Sequence, residues 1–166
     1  MGHAMAEYHI EIAEKLVQAA EMVIADGVEK VDAQRTVLYL CLLATEISLK
    51  AMLEKAGRPV EDIRRRSHDL SELLLDLGKC EIEGEMTLGV RHWASASRLR
   101  SCGLTHGLDT STVGAVIDAE GPSKYPNQIR YGDDLRHFPP EVVAQMASKV
   151  TQFARQHWGS VRIRRC

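Results

Sequence analysis

Glu46 and Lys50 stand four residues apart in Thr45-Glu46-Ile47-Ser48-Leu49-Lys50, with the acid N-terminal to the base. That is the favourable order for an i,i+4 pair on a helix. The residues around them are apolar, among them Leu38, Leu42, Leu43, Ile47, Leu49, Met52 and Leu53. At least one of the two charges must therefore be partly desolvated and held by partners. His68 opens the next helical stretch, His68-Asp69-Leu70-Ser71-Glu72, and can meet them. The three residues form either a polar clamp between two helices or a polar pocket that contacts a ligand. Arg64-Arg65-Arg66, just upstream, are candidates for phosphate contact, as is the tail with Arg162, Arg164 and Arg165, because guanidinium forks match phosphate oxygens. Metal chemistry is not expected. His, Cys and acidic residues fall at no zinc-ligand spacing beyond an isolated Cys102-x3-His106, and no phosphate-binding Gly loop, G-x-S-x-G or H-E-x-x-H occurs.

The elements that must position these residues read as helices. Ile10, Ala13, Leu16, Val17 and Ala20 give helical spacing from about Glu7 to Ala25, with Gly27 as a stop. Asp32 is a plausible N-cap for a second helix reaching about Ala56 and ended by Gly57 and Pro59. It is apolar nearly all round, the mark of a buried central helix. Asp69 and Glu72 have capping-box spacing for a third helix closed by Gly78. A fourth is expected over about Glu85–Arg100, with Val90, Trp93, Ala94 and Ser97 inward. From Ser101 to Phe138, Gly and Pro residues that include Gly103, Gly107, Gly114, Gly121, Pro122 and Pro126 predict a long loop with at most a short helix at Thr112–Asp118. Pro139-Pro140-Glu141 then opens a last helix to about Trp158. No segment alternates with period two. The expected fold is all-α, an up-and-down bundle of four to five main helices with one long loop before the last.

The 166 residues, 45% hydrophobic and 27% charged, suit a single globular domain and exclude disorder, collagen and a disulfide scaffold. Residues 1–5 read as a cloning remnant, 6–159 as one domain and 160–166 as a basic tail. Charge is asymmetric: residues 1–90 carry 10 basic and 17 acidic groups, residues 91–166 carry 11 and 6. Such a basic half permits a phosphate-bearing partner or pairs with the acidic half. The four cysteines are far apart, and the longest uninterrupted apolar stretch, Val37 to Ala44, spans 8 residues. A cytoplasmic protein with no membrane span is the expectation.

Thr45-Glu46-Ile47-Ser48-Leu49-Lys50-Ala51-Met52-Leu53, then Gly57, then His68-Asp69-Leu70-Ser71-Glu72-Leu73-Leu74 resembles the HEPN family, small helical domains linked with nucleotides and RNA. Lys124-Tyr125-Pro126 resembles the Arg-Tyr-Pro that precedes the last helix in one branch. The resemblance implies a module without catalytic activity that binds a nucleotide, RNA or a protein partner such as a nucleotidyltransferase. It also implies a homodimer, no cofactor and no sequence-specific DNA binding. Glu46, Lys50, His68, Asp69, Lys124 and Tyr125 become its ligand-binding or clamp residues.

The family's alternative activity is metal-independent RNA cleavage, carried by an Arg followed by four to six residues and a His. The His moves a proton and the Arg stabilises phosphoryl charge. Arg100/His106 and Arg130/His137 have that spacing. With 14 Arg and 7 His, chance gives about 1.8 such pairs, so spacing alone carries no weight. Arg130 and His137 lie where the family's motif falls, before the last helix, and are the catalytic candidates.

Overall fold

The computed structural model describes residues 5–132 and 138–164, without the side chains of 122–124. The long helix α2 (Val31–Lys55) lies at its centre, against α1 (Ile10–Asp26), α4 (Leu70–Gly78) and α7 (Pro140–Gln156). Leu38, Leu42, Leu49, Met52 and Leu53 of α2 are all fully buried. Its length and hydropathy would suffice to cross a membrane, yet 72% of its most apolar window is covered by the rest of the fold. Helix propensity is secondary here; burial of a helix that is apolar on every side drives the packing. Leu42→Ala should accordingly cost about 3 kcal/mol in urea unfolding. The same change at half-exposed Leu75 of α4 should cost well under about 1 kcal/mol.

The shorter helices are α3 (Val60–Arg65), α5 (Val113–Lys124) and α6 (Asn127–Tyr131). Asp69 caps α4 as its spacing predicts, its Oδ1 accepting from Glu72 N–H at 3.0 Å. Helix α2 begins one residue before Asp32, which therefore sits in the first turn and not at the cap.

The fold is not all-α. A three-stranded antiparallel sheet, ordered β2-β1-β5, joins β1 (Cys80–Thr87), β2 (Val90–Ser95) and β5 (Arg162–Ile163), and a hairpin pairs β3 (Gly103–His106) with β4 (Asp109–Thr112). The expected helix at Glu85–Arg100 is thus largely the first hairpin, followed by a 3-10 turn at Ala96–Leu99. Its turn places both Leu88 (φ 53°) and Gly89 (φ 76°) in left-handed geometry, which matches the right-handed twist of paired strands. The expected long loop holds β3, β4, α5 and α6. Gly121 does not break α5: a Cβ there would lie 3.2 Å from Leu70 Cβ, so the glycine permits the close approach of α5 to α4. The start of the basic tail is a strand, since Arg162 and Ile163 pair with Glu81 and Cys80.

Candidate functional site

Arg35, Tyr39, Glu46 and Lys50 recur along α2 at spacings of four, seven and four. At 3.6 residues per turn these positions share a stripe about 60° wide. The N-terminal part of that stripe borders an open groove, and its C-terminal part enters the core.

In the core, the Glu46 carboxylate is the common acceptor of three side chains. Lys50 Nζ donates to Oε1 at 2.7 Å, Tyr125 Oη to Oε2 at 2.5 Å, and His68 Nδ1 lies 3.0 Å from Oε2 and 3.2 Å from Oε1. Glu46, Lys50 and Tyr125 are buried, whereas the His68 side chain is half exposed. The cluster ties α2 to the start of α4 and to the junction of α5 with α6. The His68 and Tyr125 rings stand perpendicular with centroids 5.8 Å apart, and Lys50 Nζ lies 5.5 Å from the Tyr8 ring centroid.

Burial alone would raise the Glu46 pKa, but hydrogen bonds from Lys50, Tyr125 and His68, with the charge of Lys50, outweigh it and hold the carboxyl below its ordinary range. The Tyr125 phenol is pushed far up, first by burial and then by the adjacent Glu46 charge, so it stays a neutral donor. An ionised carboxylate can only accept, which assigns the proton on His68 to Nδ1. The imidazole is thereby fixed in orientation, with Nε2 as its second nitrogen.

The groove lies between α2 and α6 and has a volume of about 510 Å³; Asp32, Arg35, Thr36, Tyr39, Ile129 and Arg130 line it. The Arg130 guanidinium stands 5.0 Å from the centroid of the Tyr39 ring and donates to its hydroxyl. Arg35 closes the C-terminal end of α6, donating to the carbonyls of Gln128 at 3.3 Å, Ile129 at 2.8 Å and Gly132. The Tyr39 and Tyr125 rings are 6.1 Å apart, so the groove wall and the buried cluster adjoin.

The structure thus gathers Glu46, Lys50, His68 and Tyr125, and sets Arg130 beside them on the groove. Asp69 is spent on the α4 cap. The Lys124 side chain and all of His137 lie outside the described residues. The three consecutive arginines diverge: Arg64 pairs with Glu7, Arg65 with Asp62, and Arg66 with Asp76 and Glu72. Arg100 pairs with Asp118 at 2.7 Å, and His106 ends β3 on the other hairpin. Sequence reasoning missed Tyr39 and Arg35, although the stripe they share with Glu46 and Lys50 was a usable signal. Among the described residues no group of three or more His, Cys, Asp or Glu could hold a metal ion. Comparison with protein families, with curated proteins and with solved structures finds no match to the chain.

Proposed function

We propose that the protein is a HEPN-like module that binds a nucleotide or RNA in the α2–α6 groove without catalysing a reaction. The observation that carries this is the pairing of Tyr39 with Arg130 on the open groove. An aromatic ring and a guanidinium are what a base and its phosphate need, and Asp32 at the same groove offers an acceptor for ribose hydroxyls or base amino groups. In this reading the Glu46–Lys50–His68–Tyr125 cluster is the clamp that holds the groove wall. The module acts in the cytoplasm as a homodimer, and a nucleotidyltransferase is a candidate partner. Light scattering that shows a strict monomer removes the dimer.

Titration with fluorescent single-stranded RNA and with nucleoside monophosphates tests the site. Tyr39→Ala and Arg130→Ala should each weaken binding by about tenfold, the range of one lost base–aromatic stack. Affinity unchanged in both variants removes the proposal.

One observation favours a second reading, a metal-independent endoribonuclease: a half-exposed histidine whose Nδ1 is fixed by a buried carboxylate is suited to moving a proton. Arg130 would then stabilise phosphoryl charge, with His137 or His68 as the proton carrier. Cleavage of unstructured RNA in EDTA that is lost in His137→Ala or His68→Ala supports this reading, and intact RNA sinks it.

A further inference from the structure

Asp76 of α4 is fully buried, yet three cations converge on its carboxylate. Arg66 donates from Nε at 2.7 Å and Nη2 at 3.1 Å, Arg58 Nη1 lies at 3.2 Å and Lys79 Nζ at 3.4 Å. Glu72 also reaches Arg66, at 3.1 Å. One bidentate arginine largely satisfies a buried carboxylate. Two further cations at the same point repel it and each other, and the excess charge reaches the surface. The side chains of Arg58, Arg66 and Lys79 are 25%, 33% and 66% exposed.

The positive charge continues across the sheet. Lys79 borders a concavity of about 130 Å³ together with Glu81, Ser95, Trp93 and Arg164. Strand β5 brings Arg162 and Arg164 to this place, because it pairs with β1 and because Ile163 N–H donates to the Ala56 carbonyl, two residues before Arg58, at 3.3 Å. Arg162 stacks on Trp93 with Cζ 3.2 Å from the ring centroid. Arg162 and Arg164 also reach Glu81, at 3.2 and 3.7 Å. The five cations face Asp76, Glu72 and Glu81, with Asp69 acting on Arg66 from farther off, and the patch stays net positive.

We propose that Lys79 and Arg164, which border this concavity, form a phosphate-binding site separate from the α2–α6 groove, with Arg58 and Arg66 adding positive charge from their places on Asp76. Guanidinium forks and an ammonium are the donors that phosphate oxygens require, and the concavity has room for one phosphate group. The ligand class is a phosphate ester, either a terminal monoester or a nucleic-acid diester.

Calorimetric titration of the full chain with inorganic pyrophosphate at constant ionic strength tests the site. Lys79→Ala and Arg164→Ala alter exposed side chains and leave Arg58 and Arg66 to satisfy Asp76, so both should fold. Each is expected to weaken pyrophosphate binding by about five- to tenfold, while Tyr39→Ala and Arg130→Ala leave it unchanged. Absence of millimolar binding in the unmodified protein overturns the proposal, as does equal affinity in Lys79→Ala and Arg164→Ala. Loss only in Tyr39→Ala or Arg130→Ala also overturns it, and assigns pyrophosphate to the groove. One single-stranded RNA with a 5′-phosphate or a 5′-hydroxyl separates the sources. Lys79-dependent binding of the phosphorylated form alone identifies a monoester, and Lys79-dependent binding of both forms identifies the backbone.

Discussion

Glu46→Ala is expected to destabilise the protein by about 3–5 kcal/mol, because it strips the shared anion from a buried network. The substitution leaves the ammonium of buried Lys50 without the carboxylate 2.7 Å away, and it leaves the buried Tyr125 hydroxyl and His68 Nδ1 without their acceptor. Tyr125→Phe removes a single donor and should cost about 1 kcal/mol. Urea unfolding of both variants reads the difference. A loss below about 1 kcal/mol in Glu46→Ala would mean that the four side chains do not act as a unit. Lys50→Met combined with Glu46→Leu should recover part of the loss, since replacing both charges by apolar groups removes the desolvation problem.

Asp76→Ala should cost about 3 kcal/mol, by the same loss of a buried anion, discounted because its cations are partly exposed. The defect should shrink as NaCl is raised, since what remains is repulsion among Arg58, Arg66 and Lys79 at the surface. Acid is the second readout. Burial alone would raise the Asp76 pKa, but hydrogen bonding to Arg66 and the charge of Arg58 hold its carboxyl below the ordinary range, and Glu46 is also held low. A carboxylate with a depressed folded pKa binds its proton more readily when unfolded, so stability rises with pH through that interval. The contribution of both groups is therefore complete above the usual carboxylate pKa of about 4 and is lost as pH falls through their lower folded values. Asp76→Asn should flatten that acid limb. An unaltered limb, followed by circular dichroism, would show that Asp76 does not couple to protons in this way.

The helical frame was legible because its signals are strong and local. The all-round apolarity of α2 points to a central position, and Asp69 with Glu72 marks the start of α4. Two opposite charges embedded in that apolar helix required partners, and His68 proved to be one of them. The strands were hidden for equally specific reasons. Val90, Trp93, Ala94 and Ser97 happen to fall at helical intervals, and only Cys80-Glu81-Ile82-Glu83 alternates in burial. Both hairpins turn without an Asn-Gly or Asp-Gly pair, through Leu88-Gly89 and Gly107-Leu108. Glycine within α5 imitates a breaker because the α4 surface it fits comes from a distant part of the chain. Asp76 is invisible as a hub for the same reason: Arg58, Arg66 and Lys79 flank it in sequence, but only the turn of the chain through α3 and α4 directs all three onto one carboxylate.

Helix α2 supplies core over most of its circumference and also carries both the groove-facing and the buried polar residues on a single stripe, so its phase is its most constrained property. Inserting one residue between Leu43 and Thr45 would rotate everything downstream by about 100°. Glu46 would swing away from His68 and Tyr125, while Arg35 and Tyr39 stayed on the groove. The two ends of the stripe would fall out of step, although hardly any side chain had changed its chemical identity. Length changes are tolerable in the hairpin turns and are not tolerable in this helix.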